Sequence, residues 1–170
     1  MKIFWSIVIT IAAEIGLALI VILTGWYNVS AIHQDKGMIK WALSTTSDNS
    51  VEFHAKDIKA PNLNDTSLIK LGFAHYKEMC ESCHGGPGKE ETELAKGLNP
   101  HAPNLAKSAK EMSPEEIFWV TKNGIKMTGM PAWGKTHPDK KIWAITAAIE
   151  KLPSMTAAQY NSYKEEKDDD

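Results

Sequence analysis

The chain contains no arginine; all 19 of its basic residues are lysine. Phosphate and nucleic-acid sites favour the planar, always-charged guanidinium fork. A net charge of −2 also offers no field that would gather a polyanion. A nucleic-acid partner is therefore not expected. Cysteine is scarce too: there are two, Cys80 and Cys83, both in one short motif, so no structural disulfide is available. Cysteine usage alone thus leaves the redox compartment open. No alternating apolar and polar run is long enough for a useful strand. What remains is an all-α reading.

The two cysteines sit in Cys80-Glu81-Ser82-Cys83-His84, a C-x-x-C-H pentapeptide, the attachment signature of a c-type haem. Both thiols can add to haem vinyl groups, and the following His84 can bind the iron from below. The three-residue step suits one helical turn, so both sulfurs can reach one porphyrin edge. Two other readings exist for such a pair. A redox dithiol usually lies beside a βαβ pattern, and a zinc site needs further ligands nearby. Neither context is evident here.

Ile3 to Leu23 is one apolar run interrupted by Ser6, Thr10, Glu14 and Gly16. As a helix it would be about 30 Å long, the thickness of bilayer hydrocarbon. Lys2 precedes it, and Trp26 and Tyr27 follow, matching a cytoplasmic positive end and an interfacial aromatic belt. A cleaved signal peptide is the alternative, but its apolar region would be shorter and no small-x-small site stands before Trp26. Glu14 falls near mid-span. An ionised carboxylate there costs about 2.5–3.5 kcal/mol. That leaves a neutral acid, or a partner group on another membrane helix, as the two readings of Glu14.

Residues 28–65 read as a linker or juxtamembrane segment. Within it Gly37 to Ser44 can begin an amphipathic helix with Met38, Ile39, Trp41 and Leu43 partly buried. Ser44 to Ser50 reads as a polar turn or cap, Val51 to Ile58 as a short element, and Ala60-Pro61-Asn62 as a break. His33 and His54 are expected at the surface. Asn64 or Asp65 can cap a helix from Thr66 to Met79, in which Gly72 invites a close helix approach. Gly85-Gly86-Pro87-Gly88 is a loop, and Lys89 to Gly97 is loosely helical at best. Ser113-Pro114-Glu115-Glu116 is a capping box that starts a helix ending at Asn123-Gly124. A final helix begins near Thr136 to Pro138 and ends at Leu152, with Ile142, Trp143, Ile145, Ile149 and Leu152 along one face. Trp119, Trp133 and Trp143 exceed the needs of a small helical core, and a haem would give them surface to cover. Thr156 to Gln159 can cap one short helix. Lys164 to Asp170 reads as a disordered acidic terminus.

Residues 66–153 resemble class I c-type cytochromes. The resemblance rests on Leu71-Gly72-Phe73-Ala74-His75-Tyr76, the Cys80–His84 motif, Ala102-Pro103-Asn104-Leu105, Gly129-Met130-Pro131-Ala132-Trp133, and Ile142-Trp143-Ala144-Ile145, in that order. The whole layout is similar to membrane-anchored monohaem cytochromes c of bacteria. The resemblance implies about three main helices around one haem, preceded by a single transmembrane helix. It implies four regions: an anchor over 1–27, the linker over 28–65, the haem domain over 66–153 and an extension over 154–170. It implies covalent haem c on Cys80 and Cys83, iron ligation by His84 and Met130, and cofactor contacts from Pro103, Leu105 and Trp133. Met127 competes with Met130 for the sixth position, whereas Met38, Met79, Met112 and Met155 lie outside the loop. His75, His101 and His137 could each give a bis-histidine site but read better as polar surface or capping residues. The family's proximal histidine donates to the carbonyl that corresponds to Pro103; Ala102 replaces the usual glycine before it. Gly72 and Trp143 match the crossing of the terminal helices.

Such a site fits a single-electron carrier, acting alone or as the haem subunit of a larger oxidoreductase. An enzyme would want an open iron, and a dihaem peroxidase a second C-x-x-C-H. A gas or redox sensor would want an output module. Lys122, Lys126, Lys135, Lys140 and Lys141, with Asp139 as the one acid between them, bracket the methionine loop. They form either a docking face for acidic redox partners or an ordinary solvated surface. Covalent attachment, as the resemblance implies, takes place outside the cytoplasm. The expected location is the outer face of a bacterial inner membrane, on the periplasmic side, with residues 3–23 in the bilayer.

Overall fold

The structure, a computed structural model, describes residues 1–163; the acidic terminus expected over Lys164–Asp170 lies outside the described residues. All regular elements among the described residues are helical. The chain separates into two units, Met1–Ser30 and the remainder from Ala31 onward.

The first unit is helix α1, Lys2–Thr24, which stops where Gly25 turns left-handed at φ 69°. At 23 residues it is about 35 Å long, enough by length and composition to cross a membrane. None of its side chains is buried, and Glu14 is exposed. Its threonine hydroxyls are satisfied within the helix: Thr10 donates to the Ser6 carbonyl at 3.0 Å and Thr24 to that of Ile20 at 2.6 Å.

The second unit opens with α2, Gly37–Ala55. The polar run Ser44–Ser50, expected as a turn, is helical throughout. It holds no glycine or proline, and Thr46 bonds back to the Ala42 carbonyl at 2.7 Å, as hydroxyl side chains can in a helix. Beyond it, Val51 and Ala55 are buried and draw the helix onward. The polar stretch therefore continues a helix anchored by its last turn. Met38, Ile39, Trp41 and Leu43, expected to be partly buried, are exposed.

Helix α3, Thr66–His75, starts at Asp65, whose carboxylate accepts from the Ser67 amide at 2.8 Å. That bond and the Ser67 hydroxyl hold the Asp65 acid below its ordinary range. Short helices α4 (Glu81–His84), α5 (Glu93–Lys96) and α6 (Leu105–Ser108) follow. Helix α7, Pro114–Asn123, has the full capping box between Ser113 and Glu116. Helix α8, Asp139–Lys151, carries the longest buried face, and α9, Ala157–Ser162, ends the described chain.

The core is built where α3 crosses α8. Phe73, Tyr76, Ile145, Ala148, Leu152 and Tyr160 meet in one cluster with Cys80. Burying each large side chain contributes about 1.5–3 kcal/mol. The crossing is close because Gly72 has no Cβ. One added there would lie 1.9 Å from the Ala144 carbonyl oxygen and 3.0 Å from the Ala148 Cβ. Trp143 stacks on Phe118 at 4.0 Å, and Trp119 lies parallel to His54 of α2 at 5.5 Å. Two of the three tryptophans expected to cover a cofactor thus have protein rings against them. Gly72→Ala gains about 1 kcal/mol of helix propensity but must separate the two helices, an overpacking cost of about 1–3 kcal/mol or more. The expected result is a lowered thermal midpoint; a midpoint at or above wild type would show that the crossing is not tight.

Candidate functional site

The C-x-x-C-H motif sits at the end of α3, where the helix changes gauge. Tyr76–Cys80 form a π turn, and α4 continues directly as Glu81–His84. Single π turns inside helices commonly occur at functional positions. Here the wider turn re-aims the residues from Cys80 onward. The Tyr76 hydroxyl ties the far end, donating to the Gly85 carbonyl at 2.8 Å, while Gly85 turns at φ 66°. The two cysteines are not joined to each other; Cys80 is buried and Cys83 half-buried. Burial, with Cys83 nearby as the smaller cause, pushes the Cys80 thiol up to about 12. A redox dithiol needs an accessible, low-pKa thiolate, so Cys80 does not suit that chemistry. Among the described residues no three His, Cys, Asp or Glu side chains gather as a metal cage. The zinc reading of the motif thus lacks its additional ligands.

His84 is half-buried, and its Nδ1 lies 2.9 Å from the Pro103 carbonyl oxygen. The replacement of glycine by Ala102 does not prevent this contact. Burial lowers the His84 pKa, and the smaller opposing effect is the bond to Pro103. A neutral ring that donates from Nδ1 carries its lone pair on Nε2, the form in which imidazole binds a metal. The Pro103 carbonyl is set by Asn104, whose side chain caps α6 by accepting from the Ala106 amide at 3.1 Å. Leu105, next in line, packs partly buried against the cluster that contains Cys80.

The methionine loop is fixed from both ends. Gly124 turns at φ 65° after α7, and a Cβ there would lie 2.7 Å from the Met130 carbonyl oxygen. The Ile125 amide donates to that same carbonyl at 3.3 Å. Thr128 cross-ties the interior: its hydroxyl donates to the Ile125 carbonyl at 2.8 Å and accepts from the Met130 amide at 3.1 Å. Gly129 lies against Leu98, where a Cβ would come within 2.6 Å of the leucine methyl. The two methionines differ sharply. Met130 is half-buried, whereas Met127 sits at φ 61° and is 97% exposed. Trp133 is half-buried, opens a short 3₁₀ turn and meets His137 edge-on at 5.5 Å.

The three other candidate histidines have protein neighbours, and His75 is buried where a surface position was expected. His75 lies 3.8 Å from Glu78, His101 lies 3.3 Å from Glu91, and His137 bonds to the Thr136 hydroxyl at 2.8 Å. Thr128 escaped the sequence reading because nothing local marks a loop threonine as a cross-tie. Tyr160 escaped it as well. Its signal was the Thr156–Gln159 capping box, which announces a helix ahead of two tyrosines.

The residues present fit a covalently held haem: two thiols on one helical stretch, a neutral imidazole aimed by a carbonyl, and a half-buried thioether on a braced loop. Residues 67–147 match the family model described as cytochrome c oxidase, cbb3-type, subunit III, a match over just under half of the chain. No match to the chain was found among curated proteins. The matched segment holds the C-x-x-C-H helix, the Pro103 turn and the methionine loop on an all-helical frame. Residues 67–147 thus form a c-type cytochrome domain, which implies covalently bound haem c and supports a haem-based electron carrier.

Proposed function

We propose that this chain is a membrane-tethered monohaem cytochrome c that passes single electrons between respiratory or dehydrogenase partners through a haem ligated by His84 and Met130. The observation that carries the ligation is the contrast between Met130, half-buried on a cross-tied loop, and Met127, exposed three residues earlier. Bound haem supplies a one-electron couple at iron. Cys80 and Cys83 fix the porphyrin edge. Pro103 keeps His84 in the tautomer that offers Nε2. Thr128 and Gly124 keep the Met130 backbone from drifting, so the thioether can close the sixth position, favour the ferrous state and exclude small ligands. A closed iron suits outer-sphere transfer and not substrate turnover, so the chain acts as a carrier and not as an enzyme by itself.

Helix α1 serves as an uncleaved single-pass anchor, a role supported by its length, its apolar surface and the Trp26–Tyr27 pair after it. Lys2 and the positive-inside tendency favour a cytoplasmic N-terminus, which leaves the haem domain on the periplasmic side. Glu14 on the same helix is a candidate contact for a second membrane helix. The description of the matching family favours one particular setting, a haem-bearing subunit of a larger oxidoreductase.

The lysine face Lys122–Lys141 supports docking of acidic redox partners, with a smaller active set than the sequence suggests. Lys122 is paired with Asp139 at 2.7 Å, whereas Lys126, Lys135 and Lys140 are exposed. Charge reversal at those three should slow reduction by an acidic partner several-fold at low ionic strength and flatten the salt dependence. Unchanged rates in stopped-flow mixing would assign docking to another face. For the ligand, Met130→Ala should abolish the weak long-wavelength sulfur-to-iron band of the ferric protein and lower its potential, while Met127→Ala should keep both. Retention of the band in Met130→Ala would overturn the proposed ligation.

A further inference from the structure

The C-terminal helix α9 lies beyond the segment that matches the cytochrome family, yet it reaches the centre of the haem-attachment motif. Tyr160 is completely buried. Its hydroxyl donates to Oε2 of Glu81 at 2.5 Å. Glu81 stands between Cys80 and Cys83, and its other oxygen, Oε1, lies 3.4 Å from the Lys89 ammonium. The Tyr160 ring is held edge-on by Tyr76 and Phe73, with centroids at 6.3 and 6.0 Å. It also fills the space above Gly86, where a Cβ would meet the ring at 2.7 Å. Ala157 occupies the same role over Gly88 at 2.5 Å. Lys77 completes the clamp, donating to the Tyr163 carbonyl and standing 4.9 Å from the Tyr160 ring centroid.

This is a built contact. Two loop glycines make room for α9, and a buried phenol ends on a carboxylate. Burial, followed by the bond to Glu81, holds the Tyr160 phenol well above its ordinary range, so it stays a donor. The carboxylate lies on the short helix that carries Cys83 and His84, where its charge would act on a haem held by that helix. An anion beside a haem favours the ferric state, and a buried donor on that anion weakens the effect.

We propose that Tyr160 is a positioning residue for the electron-transfer site: it fixes and partly neutralises the Glu81 carboxylate, and thereby sets the haem reduction potential from the C-terminal extension. The inference rests on the covalently bound haem of this domain and needs no particular sixth ligand. The extension is then a tuning element that the matched cytochrome segment does not include. Tyr160 acts through Glu81.

The test is a double-mutant cycle in the full-length holoprotein, read by spectroelectrochemical titration. Tyr160→Phe removes one oxygen and keeps the ring. It should lower the potential, because the carboxylate loses its donor. Glu81→Gln should raise it, because the charge is gone. Tyr160→Phe added to Glu81→Gln should produce little further shift. A Tyr160→Phe potential that is unchanged or raised, or that shifts equally in both backgrounds, overturns the inference. Should Tyr160→Phe fail to accumulate as holoprotein, Glu81→Gln alone decides: a potential at or below wild type contradicts the proposal. A wild-type chain that carries no covalent haem would instead defeat the cytochrome assignment, and a pyridine haemochrome spectrum distinguishes that failure.

Discussion

The close crossing of α3 and α8 is the constraint on which the rest of the domain depends. It exists because Gly72 leaves no side chain between the helix and the Ala144 carbonyl. Helix α3 leads without a break into the π turn and the C-x-x-C-H motif. A helix displaced at Gly72 would therefore carry both cysteines and His84 with it. The crossing also gathers Phe73, Tyr76 and Tyr160 into one cluster, so the same packing that stabilises the fold aims the attachment residues. Stability and cofactor geometry are thus one problem in this chain.

The two halves of the candidate site come from segments that share little sequence neighbourhood. The proximal half depends on a carbonyl 19 residues from His84. The methionine half depends on a glycine that ends α7 and on a threonine that bonds both ways within the loop. Each half is braced by its own backbone contacts. That arrangement suits electron transfer, in which the site should change little between oxidation states.

How much of this was legible in the sequence follows from the range of each interaction. The C-x-x-C-H motif is local and carries its own chemistry. The capping box at Ser113–Glu116 is likewise local, and the helix it starts lies where expected. The apolar faces of α3 and α8 were readable from period alone, and so was the need for Gly72. Helix α2 was not readable in full: its serine and threonine run has weak helical preference, and only the burial of Val51 and Ala55 explains why it stays helical. The bond between Tyr160 and Glu81 joins residues 79 positions apart. No local pattern announces such a contact. The ring partners of Trp119 and Trp143, His54 and Phe118, lie on other helices and cannot be read from spacing.

Taken together, a braced haem domain and a C-terminal clamp describe surroundings that are preset for one haem, and the proposed ligation by His84 and Met130 would close its iron. The most direct measurement is the absorption spectrum of the reduced, full-length protein before and after carbon monoxide is added at neutral pH. Iron held by His84 and Met130 should be low-spin in the ferrous state and should not react with the gas on the mixing timescale. A high-spin ferrous spectrum that converts rapidly to a carbon monoxide adduct would show an open sixth position and contradict the closed electron carrier.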